Sequence, residues 1–138
     1  MTDQSNMPKE FIAAAYDRVM GLLKWRPYIE KALKRNDSYL TYEEVCQKVL
    51  AGTLLWFNND DAFVIAEIIT FSKGTYCHVC IAGGKFEDIC NIEKEQVVPL
   101  LQMGGIKRMT MLARDGFTRR GLSEGWKPTK QHYYTKEI

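Results

Sequence analysis

The feature that most limits what this chain can fold into is a change of hydrophobic period at Gly52. Before it, apolar residues recur at helical spacing; after it, they come in dense β-branched and aromatic runs broken by turn residues. The last helical stretch carries signals for both of its ends. Thr41-Tyr-Glu-Glu44 is a capping box, in which a hydroxyl and a carboxylate each satisfy a backbone N–H, and Gly52 suits the left-handed residue that closes a helix. Val45, Cys46 and Val49 fall on one side between them, so the sequence predicts a helix over 42–51. All-helical and all-β folds are thereby both excluded.

Upstream, Phe11, Ile12, Ala15, Val19, Leu22 and Leu23 predict a helix over 9–23, with Pro8 placed where a first turn tolerates it. Pro27, Ile29, Ala32 and Leu33 predict a short helix over 27–35 whose other side is charged. Downstream, strands are expected over 53–57, 62–71 and 76–82, separated by Asn58-Asn-Asp-Asp61 and Ser72-Lys-Gly74. Residues 86–103 read as a broken helix with Asn91 and Pro99 as weak points, ended by Gly104-Gly105. A strand over 106–113, a helix over 115–124 and a strand over 130–138 complete the order. Strand, helix, strand in succession predicts a right-handed crossover, with 76–82 and 106–113 side by side and parallel. The expected fold is therefore α/β, a mixed but mostly antiparallel sheet with helices on both faces. It forms one domain over 1–138, with 1–24 as an N-terminal helical extension.

The 138 residues are 46% apolar and 26% charged, a composition that suits one compact domain. No run of 18 apolar residues is present and Met1 to Met7 are polar, which predicts a soluble cytoplasmic chain with neither membrane span nor secretory signal. The net charge of +2 is small, but from Ile106 onward eight Lys/Arg face three Asp/Glu. Four cysteines are expected as reduced thiols. Cys77 and Cys80 have the spacing C-x-x-C, yet on a strand positions i and i+3 point to opposite faces, so they read as structural and not as a metal pair.

This order of elements resembles the GNAT superfamily of N-acetyltransferases, whose core runs helix, helix, three antiparallel strands, central helix, strand, helix, strand. The resemblance spans residues 25–138 and has local echoes in Trp25-Arg-Pro-Tyr-Ile29, Leu54-Leu-Trp56, Ala66-Glu-Ile68, Ala82-Gly-Gly84, Gly105-Ile-Lys-Arg-Met109 and Arg114-Asp-Gly-Phe117. Within the superfamily the chain looks most like small phage-encoded proteins found among virion structural genes. The resemblance implies acetyl-CoA as cofactor, with its pyrophosphate held at the central helix by Gly83, Gly84 and Lys85. Here Glu87 and Asp88 stand in that first turn, where they favour the helix but repel an anion. Members of the superfamily also place a tyrosine four residues before a Gly-Phe pair as the leaving-group acid; with Gly125-Trp126 as the counterpart pair, that position is Gly121.

Glu67 is the one candidate catalytic group. It shares a strand face with Phe63, Ile65, Ile69 and Phe71, so burial there would raise its pKa toward that of a general base. A Lys73-Gly74 loop would set it opposite Cys80 with His78 on the diagonal, and a three-residue loop would set it opposite Val79. Arg114, Arg119 and Arg120, with Lys107, Arg108 and Lys127, form a basic stretch interleaved with Phe117 and Trp126, a candidate surface for a polyanion or an acidic protein face. The sequence leads to two expectations: a non-catalytic, virion-associated binding module with a degenerate coenzyme site and no cofactor, or an acyl-CoA-dependent N-acetyltransferase using Glu67. Assembly into a homo-oligomer is compatible with either.

Overall fold

A computed structural model describes residues 8–36, 38–112, 121, 124–129, 134 and 136–138. Three helices come first: α1 (Lys9–Lys24), α2 (Arg26–Arg35) and α3 (Tyr42–Leu50). The caps of α3 form as its sequence predicts. Glu44 N donates to Thr41 Oγ1 at 3.2 Å, and Thr41 N donates to the Glu44 carboxylate at 3.3 Å. At the other end Gly52 takes φ +81°, and the N–H groups of Gly52 and Thr53 donate back to the carbonyls of Val49 and Lys48. Pro27 lies in the first turn of α2, whose buried residues are Ile29 and Leu33.

Four strands follow in the order β1 (Leu55–Asn58), β2 (Ala62–Phe71), β3 (Gly74–Gly84) and β4 (Met109–Met111). The first three pair antiparallel and β3 pairs parallel with β4, so the chain is α/β with a mostly antiparallel sheet. The crossover between β3 and β4 is α4 (Phe86–Ile92), a π-helical turn (Glu93–Val97) and α5 (Val98–Met103). The predicted break falls between Asn91 and Pro99. Pro99 has no N–H to donate and its ring crowds the preceding turn, and the wide turn ends directly ahead of the short helix that contains it.

Alternation along β2 divides the interior in two. Phe63 and Ile65 point to a core shared with Leu22, Trp25, Ile29, Tyr42, Val45 and Val49 of the three N-terminal helices. Ala62, Val64 and Ala66 point the other way, with Cys77 and Val79, to Ile92, Val97 and Leu101 of the crossover. Helices thus cover both faces.

Several expected boundaries are corrected. Phe71 pairs with Gly74, so the hairpin loop is Ser72-Lys73, one residue earlier than Lys73-Gly74. Ala66 pairs with Val79 but Ile65 with Ile81, which leaves Cys80 as the extra residue of a β-bulge. Gly83 and Gly84 continue β3, paired with Phe63 and Ala62, instead of forming a loop after Ala82. The predicted helix over 115–124 and strand over 130–138 lie largely outside the described residues. Among those described, no helix is long and apolar enough to cross a membrane.

Candidate functional site

The hairpin register sets Glu67 directly opposite His78, and not opposite Cys80 or Val79. On its other edge β3 pairs His78 with Thr110, and His78 Nδ1 lies 2.8 Å from Thr110 Oγ1. A row of three polar side chains, Glu67, His78 and Thr110, therefore crosses three strands on the face that carries Phe63 and Ile65. Glu67 is half-buried and not enclosed as expected. The three-helix layer covers Phe63 and Ile65, but the strand runs past it: Ile69 is half-buried and Phe71 is 64% exposed.

Cys80 borders this row. Its thiol donates to the His78 carbonyl at 3.7 Å, and burial, the Glu67 charge and Cys77 together push its pKa up to about 11. At neutral pH it is a protonated thiol and a poor nucleophile. Cys77 lies in the opposite core, where burial also raises its pKa. The sheet separates the two sulfurs of the C-x-x-C pair, as strand alternation predicts. Among the described residues, no group of three or more His, Cys, Asp and Glu side chains could hold a metal ion.

The proposed coenzyme residues lie at the far end of the same hairpin, where packing accounts for each of them. A Cβ on Gly84, whose φ is +107°, would stand 2.2 Å from the Asp61 carbonyl oxygen, and one on Gly83 would stand 2.6 Å from the Phe63 ring. Both glycines let β3 close against β2. Lys85 N donates to that same Asp61 oxygen at 3.1 Å, and its ammonium lies 4.0 Å from the Asp61 carboxylate. Asn59 Nδ2 donates to the Asp88 carbonyl at 3.2 Å, tying the start of α4 to the β1–β2 turn. Glu87 and Asp88 occupy the first turn of α4.

Sequence reasoning missed Glu93. It stands in the π-helical turn, half-buried beside an apolar cavity of about 40 Å³ whose lining includes Val79, Ile89, Val97, Met109 and Trp126. Burial holds its carboxyl above the usual range; a hydrogen bond from Trp126 and the charge of Lys94 act the other way, and Glu124 adds to the rise. The interrupted helical pattern around Asn91 and Pro99 is the only local signal at this place. Thr110 carried none, since its relation to His78 depends on the β3–β4 register. Of the basic residues, Lys107, Arg108 and Lys127 are exposed, whereas Arg114, Arg119 and Arg120 lie outside the described residues.

The class these features define is an α/β protein whose central hairpin carries a polar row at one end and a glycine-closed junction at the other. The sequence matches no family model and no curated protein. Its fold is similar to that of the tetramutant of BH1408 protein from Bacillus halodurans, with a TM-score of 0.59 over 88% of this chain and 95% of that one. At 11% identity this likeness concerns the fold alone.

Proposed function

We propose that the chain is a GNAT-fold protein that uses the fold as a binding scaffold and not for acyl transfer, of the kind that small phage-encoded proteins supply among virion components. The element order supports the fold assignment: three antiparallel strands, a helical crossover, a parallel strand and a bulge in β3 where its pairing with β4 stops. The non-catalytic reading rests on the β3–α4 junction. Gly83 and Gly84 are used in closing the hairpin, the Lys85 N–H is already given to Asp61, and the helix that would receive a pyrophosphate begins with two carboxylates. Isothermal calorimetry with acetyl-CoA and with free coenzyme A tests this. Saturable binding is expected to be absent up to about 1 mM, and micromolar affinity for either ligand would overturn it.

The partner-binding surface in this reading is the basic stretch containing Arg114, Arg119 and Arg120, directed at a polyanion or an acidic protein face. Such contact weakens as salt rises, because it depends on screened attraction and counterion release. Heparin affinity should fall on raising salt and in the Arg119→Ala/Arg120→Ala double variant; retention indifferent to both would remove this surface from the proposal.

One observation favours N-acyl transfer from acyl-CoA as a second reading: Glu67 faces His78 beside the point where the β3–β4 ladder ends at Val79 and Met111. Turnover of acetyl-CoA with an amine acceptor, abolished by Glu67→Gln, would select that reading over the first.

A further inference from the structure

Helix α1 is built the wrong way round for a free surface. Leu22 is buried in the three-helix core beside Gly21, and with 100° per residue the side of α1 roughly opposite these two carries Ile12, Tyr16, Val19, Met20 and Leu23. All five are exposed, by between 39% and 62%. Residues 8–20 are each exposed, so more than three turns of helix bury none of their side chains. An isolated helix of that length is marginal in water, and a continuous apolar stripe along it marks a contact surface.

We propose that this stripe is covered by α1 of a second copy of the chain, the two helices running antiparallel about a two-fold axis. The charges favour a self-complementary partner. Glu10, Asp17 and Lys24 recur every seven residues along one edge of the stripe, the acid at the N-terminal end and the base at the C-terminal end. In an antiparallel homodimer each edge meets its own copy, so Glu10 lies against Lys24 of the second copy, twice per dimer. A parallel pair would set this charged edge against Ala15 and Val19. Lys24 is already held at the helix end, where its ammonium donates to the Asp60 carbonyl at 2.8 Å. The same register sets Ile12 against Leu23 and Tyr16 against Val19 and lets Met20 fill the space over Ala15. Asp17 then meets Asp17 of the second copy at the axis, the one unfavourable pair. The five exposed side chains offer on the order of 500 Å² per copy, which places the interface at the lower bound for a specific dimer.

Sedimentation of the full chain, over concentrations from about 1 to 200 µM, reads the outcome directly. The wild type is expected to dimerise within this range, and Tyr16→Glu/Val19→Glu to be monomeric throughout with an unchanged circular dichroism spectrum. Glu10→Lys alone and Lys24→Glu alone should each weaken the dimer by about three- to tenfold, since each turns both ion pairs into repulsions. Mixed in equal amounts, these two variants should recover the wild-type affinity as a heterodimer. Asp17→Asn should tighten it. A wild type that stays monomeric at 200 µM, a dimer that survives the double glutamate variant, or a mixture that fails to recover would each overturn the proposal. So would a monomer that cosediments with anionic lipid vesicles through this helix, which would assign the stripe to a membrane surface.

Discussion

The two faces of the sheet are closed by different means. On the face covered by α1 to α3, large rings fill the space: Trp25 and Trp56 lie 5.2 and 5.5 Å from Phe63 between ring centroids, the second pair stacked. Gly21 makes room for this, because a Cβ there would come within 2.8 Å of the Trp56 ring. Ring packing takes precedence over polar satisfaction, and the indole N–H groups of both tryptophans are buried with no hydrogen-bond partner among the described residues. On the face covered by the crossover, Ala62, Val64, Ala66 and Val79 of the sheet, with Phe57 beside them, meet an interrupted helix, a cavity remains, and a carboxylate stands half-buried at its edge. The first face is assembled from helices that carry their own start and stop signals. The second depends on a segment whose geometry is set only when β4 returns to pair with β3.

This contrast implies unequal costs of truncation. Phe63→Ala should destabilise by about 4 kcal/mol, because it removes a ring held between two tryptophans and leaves a void that rigid neighbours cannot fill. Leu101→Ala on the second face should cost less, about 2–3 kcal/mol, since the short helix that carries it can shift to fill part of the space. Urea unfolding followed by circular dichroism gives both values. A Leu101 variant as damaging as the Phe63 variant would break the comparison.

A smaller effect tests the local signals themselves. Thr41→Ala should cost about 1 kcal/mol by removing the acceptor of the Glu44 N–H and half of the reciprocal cap. An unchanged unfolding midpoint would show that α3 is held by its buried Tyr42, Val45 and Val49 alone.

How much was legible in the sequence follows the same division. The capping box, Gly52 and the prolines act within a few residues of themselves, so α2, α3 and the strand order could be read without tertiary information. The period of α1 was equally clear, but periodicity identifies apolar positions without saying what covers them: Leu22 turns into the core, whereas Ile12, Val19 and Leu23 face outward. Glu67 and its partner depended on one residue of loop placement: with Ser72-Lys73 as the loop, it faces His78 instead of Cys80 or Val79. The glycines at 83 and 84 suggested a phosphate loop because glycine marks any close backbone approach. Here the approaching groups are Phe63 and Asp61 of the same hairpin. Glu93 was invisible because its environment is made by residues as distant as Trp126.

Glu93 provides the finest test of whether the second face is weakened by its carboxylate as well as by its cavity. In the folded chain burial raises the Glu93 pKa, so between the ordinary glutamate pKa and the raised one the native state binds more protons than the unfolded state. Stability contributed at this position therefore falls as pH rises through that window, and the penalty is complete above the folded pKa. Glu93→Gln keeps an oxygen that can accept from the Trp126 indole while removing the charge, so it should stabilise the protein at pH values above the window. The gain should be small, a few tenths of a kcal/mol after discounting for solvent around a half-buried group. It should vanish below the ordinary glutamate range, where the carboxyl is neutral in both the folded and the unfolded state. Thermal unfolding of both proteins across this range gives the difference. A gain that grows on acidification would mean that the Glu93 charge stabilises the native state, and the looseness of the crossover face would then rest on its packing alone.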